Sequence, residues 1–191
     1  RSSDLWPDPP GGRRFVRVPV DEAAEAVSQI LVEEQADVLT TYDPHGGYGH
    51  RDHVRVHEVG ARAAELARER GVDVRVLWAT VPRDLICRAI DLVARVYRFP
   101  PEFDRSSFDR AFSASAEITH RVPVRRFAAA KRASMRAHAS QAADTGSGDR
   151  TLGMLLKIPR PLFDLVFRRE WFVDPVAPAG TARTDVFEGL A

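Results

Sequence analysis

Apolar positions along the first half of the chain alternate between two rhythms. Ala24, Val27, Ile30 and Leu31 recur at spacings of three and four, which predicts a helix over residues 22 to 35, capped by Asp21 and buried on one side. Before it, Phe15-Val16-Arg17-Val18 has the make-up of a short strand. After it, Val38-Leu39-Thr40-Thr41-Tyr42 is rich in β-branched and aromatic residues, as a buried strand is, and runs into the turn formers Asp43-Pro44-His45-Gly46-Gly47. A second helix is expected from near Arg51 to about Arg70, where Gly71 stops it. Residues 72 to 77 alternate apolar and charged, as a further strand would, and residues 83 to 98 carry an apolar helix through Leu85, Ile86, Ile90, Leu92 and Val93. Strands separated by helices of this length build parallel βαβ units, so the class is α/β with helices on both faces of the sheet. Functional groups in such sheets gather on loops leaving the carboxyl ends of strands, and residues 43 to 50 form one of these loops.

Beyond Pro100 the pattern is less regular. Ile118 to Val122 reads as an edge strand ending at Pro123, and residues 124 to 141 as a basic amphipathic helix with Phe127, Ala128, Met135 and His138 packing on one side. An apolar segment over residues 152 to 167 is broken by Pro159 and Pro161, and Glu170-Trp171-Phe172-Val173 makes a last strand. Residues 1 to 13, with Pro7, Pro9, Pro10, Gly11 and Gly12, read as a surface loop, and residues 144 to 150 as a flexible one. There is no internal repeat.

With 191 residues and 44% hydrophobic content, the chain suffices for one domain spanning residues 1 to 191. Twenty-eight basic residues against 27 acidic ones leave a formal net charge of +1, which argues against a strongly basic nucleic-acid binder. No apolar run approaches the roughly 20 residues of a membrane span, and the first residues lack a signal-peptide layout, so the expectation is a soluble, cytoplasmic protein. Cys87 is the only cysteine, which excludes a disulfide framework and a cysteine-rich zinc site and leaves it as a packed thiol. Only Lys131 and Lys157 are lysines; arginine dominance with abundant alanine suggests a GC-rich bacterial genome. The chain begins at Arg1 rather than methionine, so its start reads as a cut.

Four of the six histidines fall between His45 and His57. His50 and His53 are three apart on the opening turn of a helix, so both project toward one site. Glycines flanking Tyr48 let the backbone approach that site, and Asp52 supplies an acceptor for fixing a tautomer or holding an imidazolium. A zinc ligand, an acid–base histidine, its carboxylate partner and a phenol would make most of one side of a hydrolytic zinc site. The same cluster is compatible with a helix cap or with solvated side chains. His53 and His57 have the four-residue spacing of a two-histidine zinc helix, but the glutamate of that motif is missing between them, and His57 and His45 read as surface or supporting residues.

The segment Thr41-Tyr42-Asp43-Pro44-His45-Gly46-Gly47-Tyr48-Gly49-His50-Arg51-Asp52-His53-Val54 resembles the second signature of the PIG-L or LmbE-like zinc de-N-acetylases, in particular the mycothiol-pathway branch. That signature usually reads Gly-Gly-Tyr-Gly-His-Pro-Asp-His, so Arg51 stands where proline is usual. Looser matches lie at residues 131 to 141 and at Arg169-Glu170-Trp171-Phe172. The resemblance implies a Rossmann-like, mostly parallel sheet and hydrolysis of the acetamide of an N-acetylglucosaminyl compound, a small-molecule substrate. It implies His53 as a Zn2+ ligand, His50 as the group that stabilises the oxyanion and protonates the leaving amine, Asp52 as its orienting partner, and Tyr48 as a mobile donor to the tetrahedral intermediate.

The family's first signature, a His-Pro-Asp-Asp segment supplying the other ligands and the general base, is absent; Trp6-Pro7-Asp8-Pro9 is only an echo. The expectation is therefore a C-terminal portion whose sheet is incomplete at its N-terminal side, inactive by itself. Two alternatives stand beside it. One is a non-catalytic remnant that keeps the motif. The other is an anion- or nucleic-acid-binding module built on Arg121, Arg125, Arg126, Lys131, Arg132 and Arg136, a stretch without an intervening acid. Trp6 has two readings as well, a sugar-stacking ring or a lid over the core.

Overall fold

A computed structural model describes residues 7–99, 103–138 and 151–190. The expectations for Trp6 and for the loop at 144 to 150 lie outside these residues. The chain divides into two compact units, one of residues 1–121 with 171–191 and one of residues 122–170.

In the first unit, a 3-10 turn (Phe15–Arg17) leads into α1 (Val20–Glu33), β1 (Val38–Tyr42), a broken helical turn α2 (Gly46–Gly49), α3 (Arg51–Glu69), β2 (Arg75–Thr80) and α4 (Arg83–Val93). The strand expected at residues 15 to 18 is thus a tight turn. Pro19 closes it and takes the N-cap position of α1, while Asp21 lies in the helix's first turn and pairs with Arg62 of α3 at 2.8 Å. The second strand begins later than the alternation predicts. Val72 and Val74 are buried, but as core plugs ahead of the ladder, which starts where Arg75 meets Val38.

β1 and β2 run parallel, from Val38 opposite Arg75 to Tyr42 opposite Ala79. Beyond β2 comes β4 (Arg169–Val173), antiparallel, with Trp78 opposite Val173 and Thr80 opposite Trp171; β3 (His120–Pro123) follows it. The result is the α/β class with an open, mixed four-stranded sheet.

The core explains why α3 sits where it does. Ala63, Ala64 and Ala67 of α3 meet Ala24 and Leu31 of α1, and these small side chains let the helices approach closely. Gly60 brings α3 against β1: a Cβ there would lie 3.1 Å from Thr41 Oγ1, whose hydroxyl donates to the Val56 carbonyl at 3.1 Å. The second and third turns of α3 are thereby pinned to the carboxyl end of β1. By contrast, no residue of α4 is buried, and Leu85 and Leu92 are exposed. Cys87 is only half-buried, with Sγ 4.0 Å from the Phe108 carbonyl.

The second unit contains a 3-10 turn (Arg125–Phe127), α5 (Ala128–Ala137), α6 (Thr151–Lys157) and α7 (Arg160–Val166). Phe163 is its buried centre, its ring tilted against that of Phe167 with centroids 4.4 Å apart. The Arg132 guanidinium lies over the Phe163 ring and donates to the carbonyls of Ile158 and Leu156 at 2.9 and 2.6 Å. Lys131 pairs with Glu170 at 2.7 Å. Two basic side chains of the expected anion-binding stretch, Lys131 and Arg132, are therefore spent on contacts within this unit. Phe127 and His138, expected to pack, are exposed; His138 Nδ1 donates to the Ser134 carbonyl at 2.9 Å near the helix end, where backbone acceptors are left over. Among the described residues no helix is long and apolar enough to cross a membrane.

Candidate active site

The loop after β1 is organised by one buried carboxylate. Asp43 is fully buried; its Oδ1 accepts the backbone N–H groups of His45 and Gly47, both at 3.0 Å, and its Oδ2 accepts the Thr80 hydroxyl at 3.0 Å. Thr80 Oγ1 in turn accepts the Ser113 N–H at 3.0 Å, and the Phe112 N–H reaches the Gly47 carbonyl at 2.7 Å. The ends of β1 and β2 and the 112–113 segment are thus tied to a single side chain. Gly46 is required here: its φ is +63°, and a Cβ would lie 2.8 Å from the backbone nitrogen of Val54.

This loop delivers three rings to one place. The centroids of His50 and His53 are 4.6 Å apart, and Tyr48 stands edge-on to both, 5.3 Å from His53 and 6.2 Å from His50. The structure therefore brings together Tyr48, His50 and His53. A fourth ring joins them: Tyr42 stacks on His53 with centroids 3.9 Å apart and planes within 3°.

The backbone assigns opposite tautomers to the two histidines. His53 Nδ1 lies 3.2 Å from the Gly46 carbonyl, which can only accept, so Nδ1 carries the proton and the lone pair is on Nε2. His50 is the N-cap of α3, and its Nδ1 accepts the Asp52 N–H at 3.2 Å, so the neutral ring carries its proton on Nε2. One histidine offers a ligand's lone pair and the other a hydrogen-bond donor. The Asp52 carboxylate lies 3.9 Å from His50 Nδ1, beyond hydrogen-bond length, and forms an ion pair with the ring only when the ring is charged.

The remaining histidines fall outside this trio. His57 Nδ1 donates to the Tyr42 carbonyl at 3.0 Å and its ring stands edge-on to Trp78 at 5.3 Å, while His45 is exposed. Among the described residues no group of three or more His, Cys, Asp or Glu side chains is placed to hold a metal ion, whereas a catalytic zinc takes three protein ligands. His53 offers a single donor through its Nε2 lone pair, so these residues do not complete a zinc site. Sequence reasoning took Asp43 only as a turn former and passed over Thr80 and Phe112. The available signal was an aspartate directly after a strand and two residues before His45, the spacing of an Asx turn.

No family model matches the chain. Curated relatives do. It is 34% identical over 183 residues to the 1D-myo-inositol 2-acetamido-2-deoxy-alpha-D-glucopyranoside deacetylase of Nocardia farcinica, covering 88% of this chain and 59% of that protein. The proteins of the same name from Thermomonospora curvata and Streptomyces avermitilis are 36% identical over 193 residues and 34% over 190, covering 93% of this chain and 62% of each relative. The chain spans less than two thirds of the length of these relatives. At 34 to 36% identity over most of its own length, the chain is a homologue of these curated deacetylases.

Proposed function

We propose that this chain carries one half of the catalytic site of a deacetylase that hydrolyses the acetamide of an N-acetylglucosaminyl-inositol compound. The observation that supports this best is the pair of opposite tautomers, His53 presenting a lone pair and His50 an N–H from the same helical turn. In this reading His50 Nε2–H donates to the oxygen that gains charge as water adds to the amide carbonyl. The proton that the attacking water loses charges the His50 ring, which then gives a proton from Nε2 to the departing amine and returns to its neutral form, with the Asp52 carboxylate 3.9 Å from Nδ1 as its counter-ion. Tyr48, 56% exposed, turns in as a second donor. His53 is one of the ligands of a zinc ion whose other donors lie outside the described residues.

The test is release of primary amine from 1D-myo-inositol 2-acetamido-2-deoxy-α-D-glucopyranoside in the presence of zinc. The expected result is no turnover by the 191 residues alone, and turnover when a segment bearing the His-Pro-Asp-Asp signature of a relative is supplied. In the active combination, His53→Ala removes zinc and activity together, while His50→Ala keeps zinc and slows turnover by about 10² to 10⁴. Rapid hydrolysis by the chain alone, or full activity of His50→Ala, overturns these assignments.

A further inference from the structure

Beside the histidine face, α3 borders a groove of about 370 Å³ lined by Val16, Arg17, Arg51, Val54, Arg55 and Glu58. Its volume lies in the range of small-ligand pockets, roughly 300 to 1,000 Å³. Three guanidinium groups against one carboxylate make its lining cationic. Arg51 and Arg55 are four residues apart, so they share one face of α3, and like charges at this spacing repel. Arg51 is also the first residue of a 19-residue helix, where the helix dipole adds positive potential. Arg17 faces them from the 3-10 turn.

We propose that this groove is a binding site for a phosphate monoester or inorganic phosphate. Tetrahedral oxyanions match the planar fork of guanidinium groups, which bind them through paired, charge-assisted hydrogen bonds. The arginines are already engaged, so the anion enters by exchange. Arg55 donates to Glu58 Oε2 and to the Val16 carbonyl, both at 2.8 Å, and Arg17 pairs with Asp8 at 3.0 Å. These carboxylates are partly exposed, and such surface pairs are worth at most about 1 kcal/mol, so a dianion held by several guanidinium groups displaces them. Arg51 and Val54 directly follow His50 and His53 in sequence. The groove therefore lies beside the histidine face, one residue step of about 100° around α3. The site stands independently of the deacetylase reading, because binding is measured without turnover.

Isothermal titration of the 191-residue protein with inorganic phosphate, N-acetylglucosamine 6-phosphate and N-acetylglucosamine tests it. Saturable binding of both phosphate compounds, but not of the plain sugar, is expected, with affinity falling about tenfold or more in Arg51→Gln and Arg55→Gln, one charge-assisted contact each. Tighter binding of the ester assigns the site to phosphorylated ligands, and equal binding assigns it to the free ion. Because Arg55 also holds the Val16 carbonyl, the Arg51→Gln variant, at an exposed position, decides the outcome if Arg55→Gln unfolds. Absence of saturable phosphate binding, or binding unchanged by Arg51→Gln, overturns the proposal.

Discussion

The imidazole of His53 lies flat on the ring of Tyr42, with centroids 3.9 Å apart and planes within 3°. Stacking fixes the plane of the imidazole, and the Gly46 carbonyl fixes its rotation within that plane, so the last residue of β1 and the turn beyond it together aim Nε2. Long-range nitrogen–proton NMR distinguishes the two tautomers. Wild type and Tyr42→Phe should show His53 protonated on Nδ1, whereas Tyr42→Ala, with the ring released, should show a mixture. A pure Nδ1–H signature in Tyr42→Ala would mean that the carbonyl suffices and the stack is incidental.

Asp43 should act on stability through three acceptor contacts at once. Asp43→Ala leaves two N–H groups and the Thr80 hydroxyl without their acceptor in a buried setting, a loss of roughly 3 kcal/mol. Asp43→Asn keeps an oxygen for His45 and Gly47, but turns an amide donor toward Thr80, whose oxygen already accepts from Ser113; about 1 to 2 kcal/mol is expected. Urea denaturation should rank wild type above Asn and Asn above Ala. An alanine variant as stable as wild type would show that the loop holds itself without the carboxylate.

Local pattern carried β1 to the residue, because β-branched and aromatic side chains lie between two clear breaks, and it carried α3, whose cap and stop are both encoded nearby. It also placed His50 and His53 together, since helix geometry over three residues needs no tertiary information. What escaped depends on long-range partners. The strand expected at residues 15 to 18 has the composition for one, but in the fold it turns sharply into α1 through Pro19. Thr80 and Phe112 join the loop from 37 residues away and from another segment, through contacts that no spacing along the chain reveals. The tautomers likewise follow from a carbonyl and an N–H placed only by the folded turn.

His50 has a structural duty separable from its proposed chemistry. As the N-cap of α3 it accepts an otherwise unmatched N–H, so His50→Ala should lower stability by about 1 kcal/mol, and His50→Asn, a better capping residue, should restore it. In the zinc-loaded assay with the supplied signature segment, neither variant should recover normal turnover, because asparagine replaces the cap but not a group that can give up a proton. Thermal unfolding beside amine release separates the two roles. Full turnover in His50→Asn would reduce His50 to a cap.

A pH effect is expected at the other end of the sheet, where His120 is fully buried. Its Nδ1 meets the Thr119 hydroxyl at 2.8 Å, and its Nε2 has no hydrogen-bond partner among the described residues. Burial is the chief cause that lowers its pKa from the ordinary 6.5; nearby Asp174 and Glu188 raise it, and Arg183 and Arg75 lower it further. Above 6.5 the ring is neutral whether the chain is folded or not, and His120 then has no pH-dependent effect on stability. As pH falls below that value the unfolded chain takes up a proton that the folded one refuses, so stability declines until the folded pKa is passed. The surroundings sharpen this response. Asp174 pairs with Arg75 and Arg183, each at 3.8 Å, and Arg75 also clasps the carbonyls of Val186, Glu188 and Gly189 at 2.8 to 3.0 Å, so a new cation at His120 would load the contacts that fasten the 183–190 segment. Urea midpoints compared at pH 7.5 and 5.5 should show a larger loss for wild type than for His120→Gln, whose side chain does not titrate. Equal losses in the two proteins would show that His120 takes up its proton without disturbing the fold.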